Sequence, residues 1–407
     1  MNYNLPIKIR SILLIFAVLI STSAFAKEKS IQKVIKESLK IAEIHSLALA
    51  QKLKNKKDQL PRTARGKSEV TTVDSHDWTS GFFPGTLWYL YEYKKNPQVL
   101  AWAQQFTDRL EQQKHTTNNH DIGFILNCSY GNGYRLTGNP RYEEVLITGA
   151  RSLSTRFRPL CGCIQSWDLG EWNANRGFQI PVIIDNMMNL ELLLWTSNQT
   201  GDNAYADIAI SHTNTTLKNH FRPDFSSYHV VSYDSITGKV NKRCTYQGFS
   251  DESAWARGQG WGLYGFTMMY RKTGFKRYLE QAKRIASFIL FHPNLPADKI
   301  PYWDFNAPNI PKEPRDASAG AIIASALIEL SQFVDEPLRS QYLKVAEIQI
   351  RTLSSSEYLA TPGTNGNFIL KHSVGSLPGD AEVDVALTYA DYYYVEALLR
   401  YSKLLNK

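Results

Sequence analysis

Residues 254–286 read AWARGQGWGLYGFTMMYRKTGFKRYLEQAKRIA. The first part, residues 254–270, is apolar or glycine on nearly every face of a helix. Thr273-Gly274-Phe275 interrupts it, and glycine there fits a helix C-cap. The second part is amphipathic, with Tyr278, Ala282 and Ala286 at i, i+4 and i+8 on one face. A helix apolar nearly all round must be buried, whereas one with a single apolar stripe lies outside. The stretch is therefore a helical hairpin with an inner and an outer arm.

The same unit recurs along the chain. Apolar runs cover residues 81–93, 122–136, 184–197, 254–270, 319–333 and 383–401. Thr137-Gly138-Asn139 and Thr200-Gly201-Asp202 repeat the turn. Tyr142 with Leu146 and Ala150, Tyr205 with Ala209, and Tyr342 with Ala346 repeat the amphipathic arm. Residues 31–53 and 96–110 supply two more such arms. Six buried and six amphipathic helices in alternation give an all-α (α/α)6 barrel, a toroid of six hairpins. An open solenoid is the competing arrangement, but its repeats are usually shorter and more alike. The long segments 159–179 and 224–250 are expected as loops that crowd one mouth of the barrel, where loops of that length usually carry function.

The 407 residues are 43% hydrophobic, 12% aromatic and 21% charged, which excludes disorder, collagen and a small disulfide scaffold. Nine tryptophans, 22 tyrosines and 18 phenylalanines are an unusual number of flat faces, which can be core or can line a groove for sugars or other ring-shaped ligands. Residues 1–26 read as a secretory signal, with Lys8 and Arg10 ahead of an apolar run and Ala24-Phe25-Ala26 as a cleavage site. Residues 27–407 are then a single catalytic barrel, periplasmic or secreted, with no membrane span. Without Lys8 and Arg10 the formal charge falls from +8 to +6, a balance compatible with an anionic substrate. No basic run is interleaved with aromatics, so nucleic acid is not an expected partner. Cys128, Cys161, Cys163 and Cys244 lack zinc-site spacing, and no metal or cofactor is expected. They are either free buried thiols or hold one bridge, and Cys161 and Cys163 are too close in sequence for an easy mutual one. A monomer and a homodimer remain equally open.

Polar residues gather at the N-terminal ends of the inner helices: His76-Asp77-Trp78, His120-Asp121, Asp185-Asn186, Asp251-Glu252, and Asp380 with Glu382 and Asp384. If the inner helices run in one direction, these groups meet at one rim. Asp77, Asp251 and Asp380 are expected as N-caps, the favoured use of aspartate at a helix start. Asp121 and Asp185 are expected to do more. Both adjoin apolar residues, where an ionised carboxylate is costly. Two carboxyls brought together in such a niche have separated pKa values, one acid and one base, which is the equipment for hydrolytic or hydration chemistry on sugars. Trp255, Arg257, Gln259 and Trp261 lie within seven residues. They form either core with a structural ion pair at Arg257, or a platform on which indole stacks a pyranose while Arg257 meets an acid group.

At these residues the chain resembles the unsaturated glucuronyl hydrolases of glycoside hydrolase family 88. The matching stretches are residues 76–85 (HDWTSGFFPG), 120–124 (HDIGF), 181–190 (PVIIDNMMNL), 226–229 (SSYH) and 247–261 (QGFSDESAWARGQGW), in family order. The resemblance implies an (α/α)6 barrel that removes a 4,5-unsaturated uronic acid from the non-reducing end of lyase-generated oligosaccharides of glycosaminoglycan or ulvan type. It implies hydration of the C4=C5 vinyl ether, with Asp185 as general acid/base and Asp121 as its partner. Trp78, His229, Gln247, Trp255, Arg257 and Trp261 match substrate-binding positions, and Trp167 or Trp172 supplies a further stacking face. Several family members carry His just before Gln247, where this chain has Tyr246. That departure bears on the subsite that reads sulfate or linkage. Competing readings are a hydrolase of unsaturated rhamnogalacturonan fragments and a non-catalytic glycan-binding barrel. The second has no use for both acids.

Overall fold

The structure, a computed structural model, describes residues 29–65, 69–170, 173 and 175–406. Residues 1–26, expected as a secretory signal, and Trp172 lie outside the described residues. Six inner helical segments form a ring: Phe82–Lys94; Ile122–Leu126, which continues through a π turn at Asn127–Gly131 into Asn132–Thr137; Leu190–Thr200; Ala256–Thr273; Ala317–Leu330; and Thr388–Leu405. The sixth packs against the first and closes the ring. Outside lie Ile31–Leu53, Pro97–Asp108, Pro140–Ser154, Asn203–Asn219, Lys276–Phe291 and Leu338–Leu353. This is the (α/α)6 barrel expected from the alternation of apolar and amphipathic runs. The main apolar cluster of the core reaches from Ile31 to Tyr401, and smaller ones lie under the short strands.

The repeated turn has a simple physical basis. Gly138, Gly201 and Gly274 end inner helices in the left-handed conformation, at φ 65°, 75° and 70°. The threonine before each glycine donates back to the carbonyl four residues earlier, at 2.7–2.8 Å. It also accepts the N–H two residues ahead. Asn139 and Asp202 then cap the outgoing helices at Arg141 N and Ala204 N. One short sequence thus closes one helix and opens the next.

The long segments at the rich mouth hold short strands. Ile180–Ile183, Val230–Tyr233 and Val240–Cys244 form a three-stranded antiparallel sheet, with Val230–Tyr233 in the middle. A second sheet runs in the order Glu69–Val73, Leu60–Arg65, Ala381–Leu387, Ser373–Ser376. The sixth inner helix accordingly begins at Thr388, because residues 383–387 belong to the strand before it. The four cysteines are buried free thiols.

The capping expectation fails at three aspartates. The residues at the helix starts are Gly81, Trp255 and Leu387, none with a side-chain cap. Asp77 closes a turn on Thr79 N and binds Arg62. Asp251 accepts from Thr245 N, and Asp380 sits in a strand turn at φ 47°. Each lies several residues ahead of its helix, and the intervening chain is turn or strand.

Candidate active site

Asp121 and Asp185 arrive from neighbouring inner segments. Asp121 stands at the start of Ile122–Leu126 but makes no capping bond, and its carboxyl lies 3.4 Å from His120 Nε2. Asp185 lies in a 3-10 turn, Ile184–Met188, between the strand Ile180–Ile183 and the third inner helix. Gly123 allows the two segments to touch: a Cβ there would lie 2.4 Å from the Cα of Asn189. Gly265 does the same on the other side, where a Cβ would meet Met187 Cβ at 2.5 Å. Asn189 uses its Oδ1 to accept Phe124 N, bracing the two segments together.

Both carboxyls are held far above the ordinary carboxylate range. Burial raises Asp121 to about 8, with repulsion from Asp185 and Asp77 adding to it. Burial raises Asp185 to about 7, and the Arg257 charge and the Trp261 indole N–H offset only part of that rise. As a coupled pair they retain a proton at neutral pH. Asp185 Oδ2 is buried with no hydrogen-bond partner in the protein. A buried acid with an unused oxygen is poised to give its proton to something that enters the pocket.

His229 faces that oxygen. Its Nε2 lies 3.8 Å from Asp185 Oδ2. Main-chain N–H groups of Tyr246 and Gln247 donate to its Nδ1 at 3.1 and 3.2 Å. Nδ1 is therefore the acceptor, and the proton of the neutral ring sits on Nε2. Burial holds the imidazole down at about 3, so it stays neutral. The three-stranded sheet makes this possible: Ile183 pairs with Val230, and Val230 with Cys244. It sets His229 beside Asp185 and sets Tyr246-Gln247 behind the ring.

The aromatic residues take several positions. Trp78 is half-buried and lies 4.9 Å from the ring of Tyr389 and 5.7 Å from Phe124. Trp261 is fully buried against Phe124, with its indole N–H toward the Asp185 carboxyl. Trp255 is 3% exposed, and its ring lies 4.5 Å from that of His229. Trp167 is half-buried at the edge of the site, 5.9 Å from Tyr246. The Arg176 guanidinium covers the Tyr246 ring at 4.1 Å.

Arg257 is placed differently from a solvent-facing substrate contact. It is 1% exposed and pairs with Asp316, which is wholly buried, at 3.3 Å. It also donates to the carbonyls of Val374 and Gly375. Gln247 likewise donates to Gly375 O, at 2.9 Å. The structural ion pair is thus the arrangement found, and both side chains fasten the strand Ser373–Ser376 to the mouth. Only the Nε of Arg257 is left without a partner.

Sequence reasoning passed over Asn189 and Tyr389. Asn189 was inside the 181–190 motif. Tyr389 stands two residues into the sixth inner helix, fully buried with its hydroxyl unpaired. Nothing in its local pattern separates it from the neighbouring core tyrosines. Among the described residues no three His, Cys, Asp or Glu side chains are arranged to hold a metal ion.

The ionisations predict a pH profile. His120, His212, His220 and His229 are buried neutral, each lowered chiefly by burial. Unfolded, they take a proton near pH 6.5. Their contribution to stability is full above that pH and lost as pH falls below it. Asp121, Asp185 and Asp391, raised to about 8, 7 and 8, act in the opposite sense. Their contribution is full below about pH 4 and lost as pH rises through 7 and 8. Melting temperature measured across pH should peak near 6.5, and Asp185→Asn should flatten the alkaline side.

The chain matches the family model described as Glycosyl Hydrolase Family 88 over residues 51–403. It is 45% identical over 354 residues to an unsaturated glucuronyl hydrolase of Formosa agariphila, with 86% of each chain covered. It is 49% identical to a crystal structure of an unsaturated glucuronyl hydrolase specific for heparin, with a TM-score of 0.88, covering 92% of this chain and 99% of that one. A variant unsaturated glucuronyl hydrolase of Streptococcus agalactiae, complexed with dGlcA-GalNAc6S, superposes with a TM-score of 0.77 at 28% identity and 98% coverage of both chains. The match extends over most of the barrel and includes both acid-bearing segments, and the chain belongs to glycoside hydrolase family 88 as one of its glycosidases.

Proposed function

We propose that this glycosidase removes a 4,5-unsaturated glucuronic acid from the non-reducing end of glycosaminoglycan-type oligosaccharides left by polysaccharide lyases. The observation that carries the reading is the pair of buried carboxyls with raised pKa values, one of them with an unused oxygen facing a neutral histidine. Asp185 donates its proton to C4 of the vinyl ether. Water adds at C5 and returns a proton to the carboxylate, so the acid is regenerated. The C5 hemiketal opens to a ketone, and the hemiacetal left at C1 releases the shortened sugar. Asp121 holds the proton balance, and His229 Nε2–H orients the carboxyl. Trp78, Trp167, Trp255 and Trp261 line the approach as apolar and stacking surface, and Gln247 and Arg257 position the strand that borders it. The 45% and 49% identities to unsaturated glucuronyl hydrolases support this reading. Residues 1–26, read from the sequence as a secretory signal, support action outside the cytoplasm.

The conjugated C4=C5 carboxylate absorbs in the ultraviolet, and hydration abolishes that absorbance. Purified enzyme should bleach unsaturated disaccharides prepared from heparin, chondroitin and hyaluronan with lyases. A preparation that binds these sugars without bleaching any of them would make the glycan-binding reading the better one. Bleaching confined to ulvan or rhamnogalacturonan fragments would move the substrate class.

A further inference from the structure

A cavity of about 460 Å³ opens at the mouth opposite the two acids. Its walls come from the C-terminal parts of inner helices, with Trp195 at mid-helix, Arg271 and Lys272 in a last turn, and Arg400 near a helix end. Its floor is Phe124, which also contacts Trp78 and Trp261. One aromatic layer therefore separates this cavity from the acid pocket.

The walls are charged, yet balanced. Arg271 pairs with Glu191 at 2.9 Å and with Glu329. Lys272 pairs with Glu191 at 3.3 Å. Arg400 pairs with Glu329 at 2.8 Å and Glu396 at 3.2 Å. Arg135 also lines the cavity and pairs with Glu92 at 2.6 Å. Each of the four lining cations thus has a carboxylate partner, with Glu92 and Glu329 standing behind the lining, and none is left free for an ionic ligand. Stability alone does not call for such a network, because apolar side chains of similar volume are often as stable or more so. Two polar groups are also left over. Tyr393 is 2% exposed and lines the cavity, and its hydroxyl has no hydrogen-bond partner among the described residues. The Asn127 carboxamide lines it too and likewise has none. A volume of this size, a carboxylate, unpaired amide and phenol groups, and the Trp195 ring are what a hydroxyl-rich ring needs for hydrogen bonds and stacking.

We propose that this opposite-mouth cavity is a second ligand site that takes a neutral sugar, of one or two rings, held by Asn127, Glu191, Trp195 and Tyr393. The proposal is independent of the reaction assigned to the acid pocket. The test is titration of the full-length enzyme with D-glucose, D-galactose, N-acetyl-D-galactosamine and D-glucuronate, read by calorimetry. At least one neutral sugar should bind saturably in the millimolar range or tighter, to wild type and to Trp78→Ala alike. Trp195→Ala and Asn127→Ala should each weaken it about tenfold or more while they still bleach an unsaturated disaccharide, which shows that they are folded. D-Glucuronate should bind no tighter than D-glucose. The proposal is overturned if no neutral sugar saturates, if Trp78→Ala loses the binding and Trp195→Ala keeps it, or if D-glucuronate is clearly preferred.

Discussion

Asp185→Asn should lower kcat by about 10²–10⁴-fold while leaving sugar affinity close to that of wild type. The substitution keeps the shape of the side chain and takes away the transferable proton. Asp185 is 7% exposed, and its Oδ2 makes no hydrogen bond within the protein, so the fold does not depend on its charge. Burial also makes the ionised form costly, and burial is the main reason the group keeps its proton to about pH 7. Asparagine relieves that cost, so the variant should be at least as stable as wild type at pH 8. Loss of bleaching, retained binding by calorimetry and a raised alkaline melting temperature together identify a proton donor. A variant that bleaches at the wild-type rate would remove Asp185 from the acid role.

Asp316→Ala should destabilise the protein by about 3–5 kcal/mol, the cost of leaving a buried charge without its partner. Arg257 is 1% exposed, and Asp316 is the carboxylate it pairs with, at 3.3 Å. Asp316 also caps the fifth inner helix through Ser318 N at 3.0 Å and binds the Ser318 hydroxyl at 2.6 Å. Three functions thus fail together: charge compensation, a helix cap and the tie to the strand Ser373–Ser376. For a chain of this size the melting temperature should fall by roughly 5 °C. The double variant Arg257→Met with Asp316→Ala should recover part of that loss, because no unpaired charge remains. A melting temperature within about 2 °C of wild type for Asp316→Ala would show that the pair is not holding the mouth.

Much of the barrel was legible because its determinants are local. The recurring Thr-Gly turn, the Asn139 and Asp202 caps and the change from all-apolar to one-faced helices are encoded within a few residues of each other. The reading slipped at residues 383–387, where an apolar run adjoining a helix belongs to a strand instead. Pairing partners at residues 63–64 and 373–376 decide that, and they lie far away in the chain. The caps at Asp77, Asp251 and Asp380 failed for a related reason: the carboxylates of Asp77 and Asp251 are claimed by turns, that of Asp77 also by Arg62, and Asp380 lies in a strand turn well ahead of its helix.

The site divides along the same line. The sequence by itself determined the family motifs, the two acids and the aromatic residues around them, because each is a residue type in a short, ordered pattern. Only the tertiary structure decided that His229 is a neutral ring with its proton on Nε2, because that follows from two N–H groups on a different strand. It also decided that Arg257 faces inward, toward an aspartate 59 residues away and the carbonyls of a hairpin more than a hundred residues away. Which groups are buried, and which charges share that burial, is a property of packed neighbours and has no local signature in the chain.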